Sequence, residues 1–120
     1  MLFGPKCLSE KPLSDDFLRE DKQKMVKYGD CGLGEKAVYV GAFALPRMQY
    51  IPLRQVDRVF KRLAVSKGFY EKNKIFGSLA YLVIRYDGGK EKVFQFSNED
   101  MLDTMLQAFR DNTNIPVGKP

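Results

Sequence analysis

Leu79-Ala80-Tyr81-Leu82-Val83-Ile84-Arg85-Tyr86, then Asp87-Gly88-Gly89, then Lys92-Val93-Phe94-Gln95-Phe96 and Ser97-Asn98-Glu99-Asp100, is the stretch on which the fold turns. Residues 79–86 are rich in β-branched and aromatic side chains and predict a strand apolar enough to be buried on both faces near its middle. Asp87-Gly88-Gly89 supplies residues that tolerate positive φ, the chemistry of a tight hairpin, and 92–96 returns as the partner strand. A hydroxyl or amide N-cap and acids set against the positive helix end then open a helix expected over Ser97–Asp111. Met101, Leu102, Met105, Leu106 and Phe109 recur at helical spacing and form one apolar stripe that covers a sheet. Asn112, Asn114 and Pro116 stop it.

Upstream of this block the texture is that of strands from Lys24 onward. Met25-Val26-Lys27-Tyr28 is the first, Gly32-Leu33-Gly34 is expected to supply a turn, and Ala37-Val38-Tyr39-Val40 is the second. Gln49-Tyr50-Ile51-Pro52-Leu53 is a third, with Pro52 marking an edge or a strand end. Over 56–66 two periods compete. Val56, Val59, Phe60 and Leu63 fit a helical stripe, whereas Val59, Lys61, Leu63 and Val65 fit one face of a strand. Strand-like neighbours on both sides favour a short turn running into a strand. Residues 1–23, with Pro5, Pro12 and charges of both signs, have two equal readings: a short helix capped by Ser14-Asp15-Asp16, or a loosely attached arm.

At 120 residues the chain has room for one core. An apolar fraction of 44% and a charged fraction of 29% are those of a folded globular protein. No apolar run approaches the roughly 20 residues that span a bilayer. Met1 to Lys6 lacks the pattern of an export signal, so a cytoplasmic location is the default expectation. Cys7 and Cys31 form no C-x-x-C pair and are expected to be free thiols. Histidine is absent. That removes the commonest general base and metal ligand, rules out Ser-His and Cys-His nucleophile systems, and argues against an enzyme. No cofactor or metal is expected.

Gly29-Asp30-Cys31-Gly32-Leu33-Gly34-Glu35-Lys36-Ala37 invites comparison with a phosphate-binding loop. Glu35 intrudes between Gly34 and Lys36, however, and Ala37 lacks the hydroxyl that would hold magnesium. A strand-connecting turn is the better reading. Cys31 there has no histidine to activate it, and a semi-buried structural cysteine is expected. The pairs Asp15/Asp16 and Glu99/Asp100 sit at helix starts, where capping accounts for them.

Six or seven short strands followed by one closing helix is a specific order. Tyr50-Ile51-Pro52-Leu53-Arg54-Gln55-Val56-Asp57-Arg58-Val59 is similar to the "I-P-L-x-x-I-x-x-V" stretch of bacterial pleckstrin-homology-like (PH-like) domains. The late hairpin, 82–90, leading through Phe94-Gln95-Phe96 into the capped helix, is the second match. The resemblance covers about 24–114, leaving 1–23 as an arm or short helix and 115–120 as a C-terminal tail. It implies a mainly β fold, a partly open barrel of two orthogonal antiparallel sheets capped by the helix. It also implies a non-enzymatic interaction or scaffolding module that binds a protein partner or self-associates. Such folds leave a groove between a sheet edge and the helix where a peptide strand can add. The lipid role of phosphoinositide-binding relatives does not carry over, because Glu35 and Lys36 cancel in the first turn.

Charge supplies the alternative. Between residues 47 and 74 stand eight cations, including Arg47, Arg54, Arg58, Lys61, Arg62 and Lys67, against Asp57 and Glu71, so this stretch carries +6 and the rest of the chain −1 of the net +5. Arg54, Arg58 and Arg62 are spaced by four, which places them on one face of a helix or of a strand without a bulge. This patch is either a site for an anionic ligand (acidic membrane lipid or nucleic acid, with Phe60, Phe69 and Tyr70 available for stacking) or a solubilising face. Phe43, Tyr50, Phe69, Tyr70 and Phe76 suit a contact surface for a protein partner and equally suit the core.

Overall fold

The β-branched stretches pair into two separate meanders in the computed structural model, which describes residues 6–41, 48–65 and 78–119. Strands β1 (Lys6–Cys7), β2 (Val26–Tyr28), β3 (Cys31–Leu33), β4 (Ala37–Val40) and β5 (Gln49–Pro52) form one sheet, in the order β1-β5-β4-β3-β2. Strands β6 (Val56–Val65), β7 (Ser78–Tyr86) and β8 (Lys90–Phe96) form the other, in that order. Helix α1 (Asp15–Lys24) precedes β2, and α2 (Glu99–Asn112) follows β8. The fold is mainly β, and the two sheets share no strand pairing among the described residues, so they do not close into a barrel.

Two expectations are corrected here. The first sheet is not purely antiparallel: β1 runs parallel to β5, with Lys6 opposite Gln49 and Cys7 opposite Tyr50. Parallel neighbours need a crossover, and the segment holding α1 belongs to the connection from β1 back toward β2. The turn is also displaced. Gly29, at φ +65°, and Asp30 make it, while Gly32 and Leu33 belong to β3 and pair with Tyr39 and Val38. Gly32 is there for close approach rather than for bending, because a Cβ on it would collide with the Met25 thioether.

The hairpin at 87–89 is as read. Asp87 and Gly88 take φ of 51° and 73°, and Tyr86 pairs with Lys90. Residues 56–65 are strand, entered through a 3-10 turn at Leu53–Gln55. The Asn98 side chain caps α2, its Oδ1 accepting from the Met101 N–H at 3.1 Å. Leu102, Met105, Leu106 and Phe109 are buried. Met101 is not: it is 36% exposed, being about 100° around the helix from Leu102 and at the margin of the stripe.

The main core lies where Val38, Val40 and Ile51 of the first sheet meet Val59, Leu82 and Ile84 of the second, with α2 laid over them. The opposite face of β4 packs Ala37 and Tyr39 with Tyr50, Leu13 and Leu18. All four residues of β4 are therefore buried, as strand alternation demands when both faces are covered. The Ser14 Oγ accepts from the Phe17 N–H to start α1. The Asp21 carboxylate then accepts from the Glu35 and Lys36 N–H groups and from the Tyr39 hydroxyl, at 2.7–2.8 Å.

Candidate functional site

Strand β6 carries Arg58, Lys61 and Arg62 of the basic stretch, and its geometry decides where those charges point. Val56 pairs with Tyr86 but Arg58 pairs with Arg85, so Asp57 is bulged out; its carboxylate accepts from the Gly88 N–H at 2.9 Å. Arg54 lies before this bulge, in the 3-10 turn, and the spacing by four does not align it with Arg58. Beyond the bulge the alternation is regular. Arg58, Phe60 and Arg62 share one face, and Val59, Lys61 and Leu63 share the face toward α2. Arg47 and Lys67 lie outside the described residues, as do Phe43, Phe69, Tyr70 and Phe76.

Of the four described cations of this stretch, Arg58, Lys61 and Arg62 have partners within the fold. The Lys61 ammonium donates to Glu99 at 2.6 Å and to Asp103 at 2.8 Å on α2. Hydrogen bonds to Asp103 and then Glu99 hold its pKa above the ordinary lysine value. Arg62 and Arg85 share Glu91, at 3.6 and 3.2 Å, and their guanidinium groups stand 5.8 and 5.4 Å from the centre of the Phe60 ring. Phe60 is thus 4% exposed and covered by arginines, not open to a base, and Tyr50 is buried in the core. Arg58 donates to the carbonyl of Gly118 at 2.7 Å. Arg54 is exposed and makes no hydrogen bond or ion pair among the described residues.

That contact from Arg58 reveals what sequence reasoning missed. After α2, Thr113 turns the chain back. Its N–H and Oγ1 both donate to the Phe109 carbonyl, and the Ile115 N–H donates to its Oγ1. Residues 116–118 then lie against β6. Val59 N–H donates to the Pro116 carbonyl at 3.0 Å, Gly118 N–H donates to the Val59 carbonyl at 2.8 Å, and Val117 forms a parallel bridge with Val59. Ile115 and Val117 pack on the main core. Around this short strand is a groove of about 380 Å³ between β6 and α2, lined by Phe60, Lys61, Leu106, Arg110, Val117 and Gly118 among others. The signal in the sequence was Ile115-Pro116-Val117, a β-branched, extended-favouring run after the helix stop, too short to stand out by periodicity.

By the two-residue period of β6, Lys61 and Leu63 present their main-chain groups to the same edge as Val59. Leu63 is 49% exposed there. The groove therefore continues past the tail as a sheet edge bearing an apolar side chain.

The glycine-containing loop holds an anion of its own. The Asp21 carboxylate occupies the N–H groups of Glu35 and Lys36, and a Cβ on Gly34 would collide with it. Those two main-chain donors are therefore not open to a phosphate. Cys31 is fully buried, and burial pushes its thiol up to about 12, so it is no nucleophile at neutral pH. Both cysteines are free thiols. No three Cys, Asp or Glu side chains cluster as a metal site among the described residues, and none of the described helices is long and apolar enough to cross a membrane.

No family model, no curated protein and no solved structure matches this chain.

Proposed function

We propose that this chain is a non-enzymatic interaction module of PH-like design that binds an extended segment of a protein partner along the β6 edge beside α2. The observation that carries it is the chain's own tail, which already adds to that edge as a strand. Main-chain hydrogen bonds give such addition its affinity, and pockets for alternate side chains give it specificity. The tail shows both parts: the Val59 pairing and the packing of the partly buried Ile115 and Val117 on the core. The element order supports the PH-like assignment. An antiparallel meander of four strands (β2–β5) is followed by one of three (β6–β8) and a closing helix, with β1 and α1 as additions.

An anionic ligand ranks second. Arg58, Lys61 and Arg62 are engaged within the fold, but Arg62 and Arg85 share one carboxylate and Arg54 is unpaired among the described residues. A peptide of residues 114–119, titrated at millimolar concentration into the isotope-labelled chain carrying Val117→Asp to unseat the attached tail, tests the first reading. It is expected to shift the amides of Val59 and Lys61. If those amides stay still while anionic vesicles shift Arg54 and Arg62, with a response that weakens between about 50 and 200 mM salt, the groove reading falls to the anionic one.

A further inference from the structure

We infer that residues 115–119 are a built-in competitor for the β6–α2 groove, so that a partner strand enters only when the tail is displaced. This rests on the groove being the binding site, and it concerns what controls access to it. The contacts are specific. Val59 presents one N–H and one C=O at the sheet edge, and both are already used, by Pro116 and Gly118. A strand edge accepts one neighbour at a time, so a partner pairing with Val59 and the tail exclude each other.

The tail is also fastened beyond the pairing. Gly118 adopts φ +124°, a conformation that L side chains rarely take, and its carbonyl meets the Arg58 guanidinium at 2.7 Å. The clasp therefore depends on a glycine at that position. At the other end Thr113 ties the turn to the last carbonyls of α2, so the segment starts next to its seat. A tether this short gives the tail an effective concentration on the order of millimolar or higher. The apparent affinity for any incoming strand falls by the fraction of molecules whose groove is empty. Leu63 and the main-chain groups of Lys61, beyond the tail, offer the place where a longer partner strand can start before it displaces the tail.

The test compares the native full chain with two full-chain variants that release the tail. Gly118→Pro removes the N–H that pairs with Val59 and fixes an incompatible φ. Val117→Asp puts a carboxylate where Val117 packs on the core. A fluorescent peptide of residues 114–119 serves as the probe, and circular dichroism checks that each variant is folded. Binding about tenfold tighter to both variants than to the native chain, with faster exchange of the Val59 amide, is the expected result. Equal affinity for all three chains overturns the competition and leaves the groove as a binding site. No binding to any of them at millimolar peptide overturns the groove as well.

Discussion

Cys31 and Asp87 show how little a residue's type says before its surroundings are known. Both lie in or beside turns, yet Cys31 is sealed in the core while Asp87 ties two distant segments together. With its thiol pushed up to about 12, Cys31 stays protonated at ordinary pH. A thiol reagent at pH 8 is therefore expected to titrate one cysteine in the native chain, the partly exposed Cys7, and both in denaturant. Two fast-reacting thiols in the native state would refute this. Asp87 accepts from the Ser9 hydroxyl at 2.7 Å and the Glu10 N–H at 2.9 Å. Those hydrogen bonds, Ser9's first, with Lys90 beside them, lower its pKa below that of an ordinary aspartate. A carboxyl depressed in the folded state contributes stability above its unfolded pKa, and that contribution is lost as pH falls through the folded value. Acid unfolding followed as the pH falls through the carboxylate range should thus become shallower in Asp87→Asn, which keeps a side chain that tolerates positive φ. An unchanged acid transition would show that the staple does not matter.

Among the elements, α2 was the most legible, because a capped helix with a stripe at 102, 105, 106 and 109 is a local signal. Phe109 is fully buried at the meeting of the two sheets. Phe109→Ala is expected to lose about 3–5 kcal/mol in chemical denaturation. Met101→Ala, at the exposed margin, should change stability within about 0.5 kcal/mol, and a comparable loss at both sites would mean that the stripe is misassigned. The hairpin at 87–89 was legible for the same reason, since its positive-φ residues are consecutive. Strand β6 was readable as a strand but not as a bulged one. The bulge at Asp57 is stabilised by a hydrogen bond from Gly88, thirty-one residues away, and no local pattern encodes that. It is why Arg54, Arg58 and Arg62 do not form a single row.

At the scale of the molecule, the N-terminal segment is what local signals described least. Ser14 predicted a helix start, but nothing near Asp21 in sequence announces that it will receive the Glu35, Lys36 and Tyr39 donors. Asp21 is 3% exposed and joins α1 to the β3–β4 loop. Replacing it by Ala leaves buried donors unpaired and is expected to cost about 2–4 kcal/mol in denaturant titration; a smaller effect than about 0.5 kcal/mol would mean that α1 is only loosely docked. The same loop explains the glycine pattern that imitates a phosphate cradle: its donors are turned to an internal carboxylate. Sequence alone determined the mainly β character, the late hairpin, the closing helix and the local surplus of positive charge, because each depends on neighbours within a few residues. Only the tertiary structure decided the parallel β1, the internal pairing of Lys61 and Arg62, the arginine cover over Phe60 and the seat of the tail on β6. Those are contacts between residues far apart in the chain, and their partners are chosen by how the sheets and helices pack.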